Sequence, residues 1–171
     1  KSFYAIQPND PARLLAETRK VENWGKGRTW YLPDQIKLFT DGAIYSQLMQ
    51  MKDGYTDGHH GAWIIDPPAF DFMFQTYWDA GYQIHVHNNG DAGMDVLLGA
   101  LERAMKRAPR QDHRTVLVHF GFATPEQVAR WIEKYREDYA VFARIRLGGA
   151  GTFESMGLDV FSIMMYDDPD L

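Results

Sequence analysis

Cysteine is absent from the 171 residues, which removes both a disulfide framework and any thiolate metal site and leaves the redox compartment open. No apolar run approaches the roughly 18 residues of a membrane span, and no signal-peptide pattern opens the chain. The formal charge of −5 gives no basic footprint for nucleic acid. Neither a membrane nor a nucleic acid is therefore expected as a partner, and the compartment stays unknown, with the cytoplasm favoured. What is present is ordinary globular material. With 45% hydrophobic and 24% charged residues, the chain has enough apolar content for one domain with a sizeable core.

The richest segment is Gln83-Ile84-His85-Val86-His87-Asn88-Asn89-Gly90-Asp91. Successive side chains of a strand point to opposite faces, so Ile84 and Val86 share one face and His85 and His87 the other. Neutral imidazole is the commonest protein ligand for zinc and similar ions. Two further segments repeat the pattern. In 35–40, Ile36 and Leu38 share a face while Lys37 lies opposite. In 114–119, Val116 and Val118 share a face, with His119 opposite and at the end. Each of Lys37, His87 and His119 stands at or near the C-terminal end of its strand, where (β/α)8 barrels collect their chemistry. The 32 residues from His87 to His119 approximate the length of one βαβ unit, roughly 30 residues.

Elements alternate along the chain. A helix is expected over 11–20, with Asp10 as N-cap and Pro11 in the first turn, then a loop over 23–34. A long glycine-rich stretch, 41–68, reads as a functional loop. Next come a helix over 70–80 closed by Gly81, a strand over 82–87, and a helix from 91 to about 107. Met94, Leu97, Leu98, Leu101 and Met105 form the buried stripe of that helix. After the strand 114–119, Thr124-Pro125-Glu126-Gln127 is a capping box. Its helix is expected to bury Val128, Trp131, Ile132 and Tyr135. A last strand is expected over 140–145. This alternation predicts a parallel α/β fold, part of a (β/α)8 TIM barrel. The divisions are a leading segment 1–34, central βα units 35–145 and a tail 146–171. A barrel of this kind takes about 250 residues, so an excerpt from a longer enzyme is expected.

Taken together, Ile36-Lys37-Leu38-Phe39 with Asp41-Gly42, Tyr55 with Asp57 and Gly61, Val86-His87 with Gly90-Asp91, and Asp112, Arg114 and His119 resemble the metal-dependent amidohydrolase superfamily. The similarity runs over about 33–143 and is nearest to amidohydrolase family 3, the branch of the N-substituted formamide deformylase-like enzymes. The resemblance implies a barrel hydrolase with one or two divalent ions, zinc foremost, that cleaves amide-like C–N bonds of a small-molecule substrate with a metal-activated water. It makes Lys37 the strand-four lysine, carboxylated in such enzymes, with His87 and His119 as ligands from strands five and six. An ammonium has donors only; as a carbamate, lysine offers two oxygens to ions about 3.5–4 Å apart.

The departures are as specific. The family's first-strand His-x-His has no counterpart in position, because His85-Val86-His87 sits in strand-five surroundings. Val118 precedes His119 where the branch carries Glu. No strand-eight aspartate is found, so no catalytic base is assigned. Plainer roles stand beside the sharp ones: Lys37 paired with Asp41 or extended along the barrel mouth, His85 in packing, Asp91 as the N-cap of the helix it opens. His59 and His60 are an exposed loop pair or a substrate contact, and Arg114 bridges carboxylates. Two other readings of the whole remain: a non-catalytic α/β fragment that associates with the rest of a barrel or with another copy of itself, and a metal-free barrel enzyme using His87 as acid and base.

Overall fold

The computed structural model describes residues 10–20 and 34–136 of a chain that divides into two units, 1–131 and 132–171. The expected strand over 140–145, the tail and nearly all of the loop over 23–34 lie outside the described residues. Helix α1 (Pro11–Arg19) starts where the Asp10 carboxylate accepts the N–H of Ala12 at 2.9 Å. Strand β1 (Gln35–Phe39) leads into the irregular segment 40–66, which holds one 3-10 turn, Ile44–Ser46. Helix α2 (Pro67–Asp79) begins three residues earlier than its apolar pattern predicts. Asp66 accepts the N–H of Ala69 at 3.1 Å, and two prolines with preset φ extend the first turn back from Phe70. Gly81, at φ +83°, closes it.

Strand β2 (Gln83–Asn88), helix α3 (Asp91–Arg107), strand β3 (Val116–His119) and helix α4 (Pro125–Arg136) follow. The capping box of α4 forms reciprocally: Thr124 N–H donates to Gln127 Oε1 at 3.0 Å, and Gln127 N–H to Thr124 Oγ1 at 3.3 Å. At α3 the expectation is corrected. Gly90, not Asp91, is the N-cap, and Asp91 is the first helical residue. Its carboxylate is turned to the preceding loop, where it accepts the N–H of Lys52 at 2.9 Å. A Cβ on Gly90 would stand 2.2 Å from the Gln50 carbonyl oxygen, so only glycine admits the loop this close.

The three strands form a parallel sheet in the order β1-β2-β3. Register places Ile36, Leu38, Ile84, Val86 and Leu117 on one face, and all five are buried. That is the side α2 and α3 cover, with Phe70, Phe74, Tyr77 and Trp78 from α2 and Met94, Leu97, Leu98 and Leu101 from α3 all buried. Met105, expected in the same stripe, is half-buried, and Ala104 takes the inner position. In α4, Val128 and Trp131 are buried and Ile132 half-buried; the side chain of Tyr135 lies outside the described residues. Strands alternating with helices in a parallel sheet are the α/β architecture expected. Among the described residues no helix is long and apolar enough to cross a membrane.

Candidate metal centre

The other face of the sheet carries Lys37, His85 and Val116 in one row and Phe39, His87 and Val118 in the next. The β3 pattern is therefore opposite to the one predicted. Its valines sit on the histidine face, Leu117 is the residue buried under the helices, and strict alternation would send His119 to the helix side. The backbone overrides alternation there. His119 and Phe120 have φ of +82° and +57°, the left-handed region, and the break turns the His119 ring back across the strand ends. Its ring meets that of His87 edge to face, with centroids 4.7 Å apart and planes at 80°.

His87 is enclosed. Its ring lies 5.1 Å from that of Phe39, and its Nε2 is 3.0 Å from Asn89 Nδ2. Burial holds its imidazole below the ordinary pKa, partly opposed by the Gly42 carbonyl and the charge of Asp41. His119 is also held low, first by desolvation of the ring, then by the charges of His87 and Lys37. Both directions favour the neutral ring; in His87 its lone pair at Nε2 faces the Asn89 Nδ2 donor, a hydrogen bond that an ion at that nitrogen would displace. Two nitrogens sharing one zinc lie within about 4.2 Å of each other, twice a bond of about 2.1 Å. The two imidazoles are donors of the kind such a shell uses, and their rings lie edge to face with centroids 4.7 Å apart. Among the described residues no group of three or more His, Cys, Asp or Glu is gathered for an ion.

Lys37 extends towards the same end, its Nζ 5.2 Å from the centroid of the Phe39 ring. It makes no ion pair with Asp41, whose two oxygens serve N–H donors instead. Asp41 is fully buried, and its role is not visible in the sequence, where Thr-Asp-Gly after a strand reads as a turn. Oδ1 accepts the N–H of Asn89 at 2.9 Å, and Oδ2 accepts those of Gly90 at 2.6 Å and Gln50 at 2.9 Å. The Thr40 hydroxyl, 3.1 Å from Oδ1, is equally close to the His87 carbonyl. One carboxylate thus joins the ends of β1 and β2 to the long loop.

The remaining candidates have local roles. His85 is half-buried, its Nε2 without a hydrogen-bond partner. His59 pairs with Asp57 at 2.5 Å and stacks on Tyr55, while His60 Nδ1 lies 2.9 Å from the Met51 carbonyl; both stiffen the loop. Arg114 pairs with Asp112 at 2.6 Å on the surface.

A sheet whose chemistry-bearing side chains stand at the C-terminal strand ends has the layout of a barrel hydrolase, and comparison with known proteins decides the family. The model of the amidohydrolase family matches residues 2–137. The chain belongs to the amidohydrolase family. No curated protein matches it. This amidohydrolase-family chain is similar in fold to an uncharacterized metal-dependent hydrolase from Pyrococcus furiosus, at 24% identity and a TM-score of 0.52, over 72% of this chain and 25% of that one. It is also similar to an uncharacterized metal-dependent hydrolase from Pyrococcus horikoshii OT3, at 21% identity and a TM-score of 0.53, over 72% of this chain and 24% of that one. The chain thus spans about a quarter of the length of either structure.

Proposed function

We propose that the protein is a metal-dependent hydrolase of amide-like, non-peptide C–N bonds, with His87 and His119 as ligands of a divalent ion and Lys37 as a third. The observation that carries this reading is the edge contact of the two imidazoles at the strand ends, in a chain of the amidohydrolase family. A bound divalent ion supplies a Lewis acid for the substrate carbonyl and a water that ionises near neutrality.

The chain's own residues prepare the place. Burial holds the His87 imidazole below its ordinary pKa, and Phe39 packs against its ring. Lys37 contributes as a carbamate: its neutral Nζ forms a bond to the carbon of CO2 and releases one proton, leaving an anion with two oxygens. The formamide deformylase-like branch is the reading of substrate class supported by the motifs around Lys37, Asp41 and His87. Zinc suits a site of nitrogen and oxygen donors.

Hydrolysis of a panel of N-substituted amides, followed before and after chelation, tests the proposal. We expect turnover that a chelator abolishes and added zinc restores. Turnover indifferent to chelators would instead favour His87 as a metal-free acid and base.

A further inference from the structure

The outer part of the long loop is joined by one imidazole whose two nitrogens both face acceptors. His59 Nδ1 lies 2.5 Å from Asp57 Oδ1, and its Nε2 lies 2.9 Å from the Gln47 carbonyl oxygen. A carboxylate and a carbonyl have only lone pairs to offer. A neutral imidazole carries one N–H and serves one of them; the imidazolium serves both. The geometry therefore selects the protonated ring. Tyr55 stacks on it, with centroids 4.3 Å apart and planes at 3°, a face that favours a cation. The Gln47 carbonyl first, then the Asp57 carboxylate, hold the imidazole above its ordinary pKa of 6.5. Asp57 is the charged group facing it, and neighbouring His60 is turned to the Met51 carbonyl instead.

The two bonds differ in what they join. Asp57 stands beside His59 at the same tight turn, whereas Gln47 lies across the loop, at the end of the 3-10 turn Ile44–Ser46. That turn borders the candidate site. A Cβ on Gly121 would stand 2.9 Å from Ile44 Cδ1 and 3.0 Å from Asn89 Oδ1, so Ile44 rests on the segment that follows His119. With a single N–H left, the ring keeps its bond to the carboxylate, since a hydrogen bond to an ionised acceptor is roughly twice as strong. Its Nε2 lone pair then faces the Gln47 carbonyl, and the tie across the loop is lost.

We propose that His59 is a proton-operated clasp, which holds the turn Ile44–Ser46 against the turn at 55–58 and releases this rim of the strand ends when the ring loses its proton. The sign follows from linkage. A pKa raised in the folded state leaves the clasp whole below the ordinary value of 6.5 and undoes it as pH rises through the raised one.

Nuclear magnetic resonance titration of the full chain follows the His59 ring. Hydrogen exchange follows the Gln47 and Leu48 amides, which donate to the Ile44 and Ala43 carbonyls within the turn. Wild type, Asp57→Asn and His59→Gln are compared from about pH 5 to about pH 8, with exchange corrected for its intrinsic pH dependence and folding checked by circular dichroism. In wild type the His59 pKa is expected above 6.5. Protection of the two amides is expected to fall about 2–10-fold across that titration, one hydrogen bond's worth. Asp57→Asn is expected to move the ring titration and the fall in protection to lower pH together, and His59→Gln to show no fall. A His59 that titrates at or below 6.5 overturns the proposal, as does protection in wild type that stays level across the titration. An equal fall in His59→Gln overturns it too, because another group then drives the change. If a variant does not fold, the wild-type titration and exchange decide.

Discussion

His119 reaches the site through a backbone conformation that costs a histidine about 1–2 kcal/mol. A left-handed φ of +82° at the end of a four-residue strand is strain placed where the ring has to cross to His87. Replacing His119 with Gly relieves that strain, so we predict a fold more stable by about 1 kcal/mol, read as a higher urea midpoint, together with loss of metal binding. A lower midpoint would show that the conformation carries no strain. This residue also marks where sequence reasoning reached its limit. Lys37 and His87 follow from alternation, because β1 and β2 are regular over the residues concerned. Alternation misleads for His119, whose strand stops alternating, and nothing in Val-Leu-Val-His signals a positive φ. The roles of Asp41 and Asn89 are hidden in the sequence for a different reason. A single polar residue after a strand looks the same whether it faces water or gathers three backbone N–H groups.

The elements themselves were largely legible, since periodicity and caps are local. The capping box at Thr124 and the N-cap at Asp10 both form the expected side-chain bonds to the backbone, whereas the cap at Asp66, ahead of the apolar pattern of α2, shows only in the structure. Gly90 escaped notice as a cap because its place is set by the approach of Gln50, a contact across 40 residues of sequence. The joint between α1 and α2 depends on a long-range pair too, Thr18 Oγ1 and Tyr77 Oη at 2.7 Å. Burial pushes the Tyr77 phenol up to about 12 from 10.0, the Thr18 hydrogen bond partly opposing. A folded pKa above the unfolded one means that the folded state holds its proton longer. The contribution is therefore whole below about pH 10 and is lost as pH rises from 10 to about 12. Urea midpoints across that window should fall less steeply for Tyr77→Phe than for wild type. Parallel curves would contradict the assignment.

At the scale of the whole molecule, three parallel strands carry Lys37, His87 and His119 towards one end of the sheet while helices cover the opposite face. This order places residues 82 positions apart, Lys37 and His119, within one neighbourhood. The long segment 40–66 closes over the strand ends rather than hanging free. Gln50 bonds to Asp41 and Ala92, and Ile64 to Thr40. The α/β character was readable from alternation, whereas the fit of that loop was not, because its glycines signal turns without saying where they pack. The central claim is that His87 and His119 bind a divalent ion, and elemental analysis of the purified protein and of the His87→Ala, His119→Ala double variant tests it most directly. The account predicts one or two ions per chain in the protein and their loss from the double variant. Equal metal content in the two would contradict it.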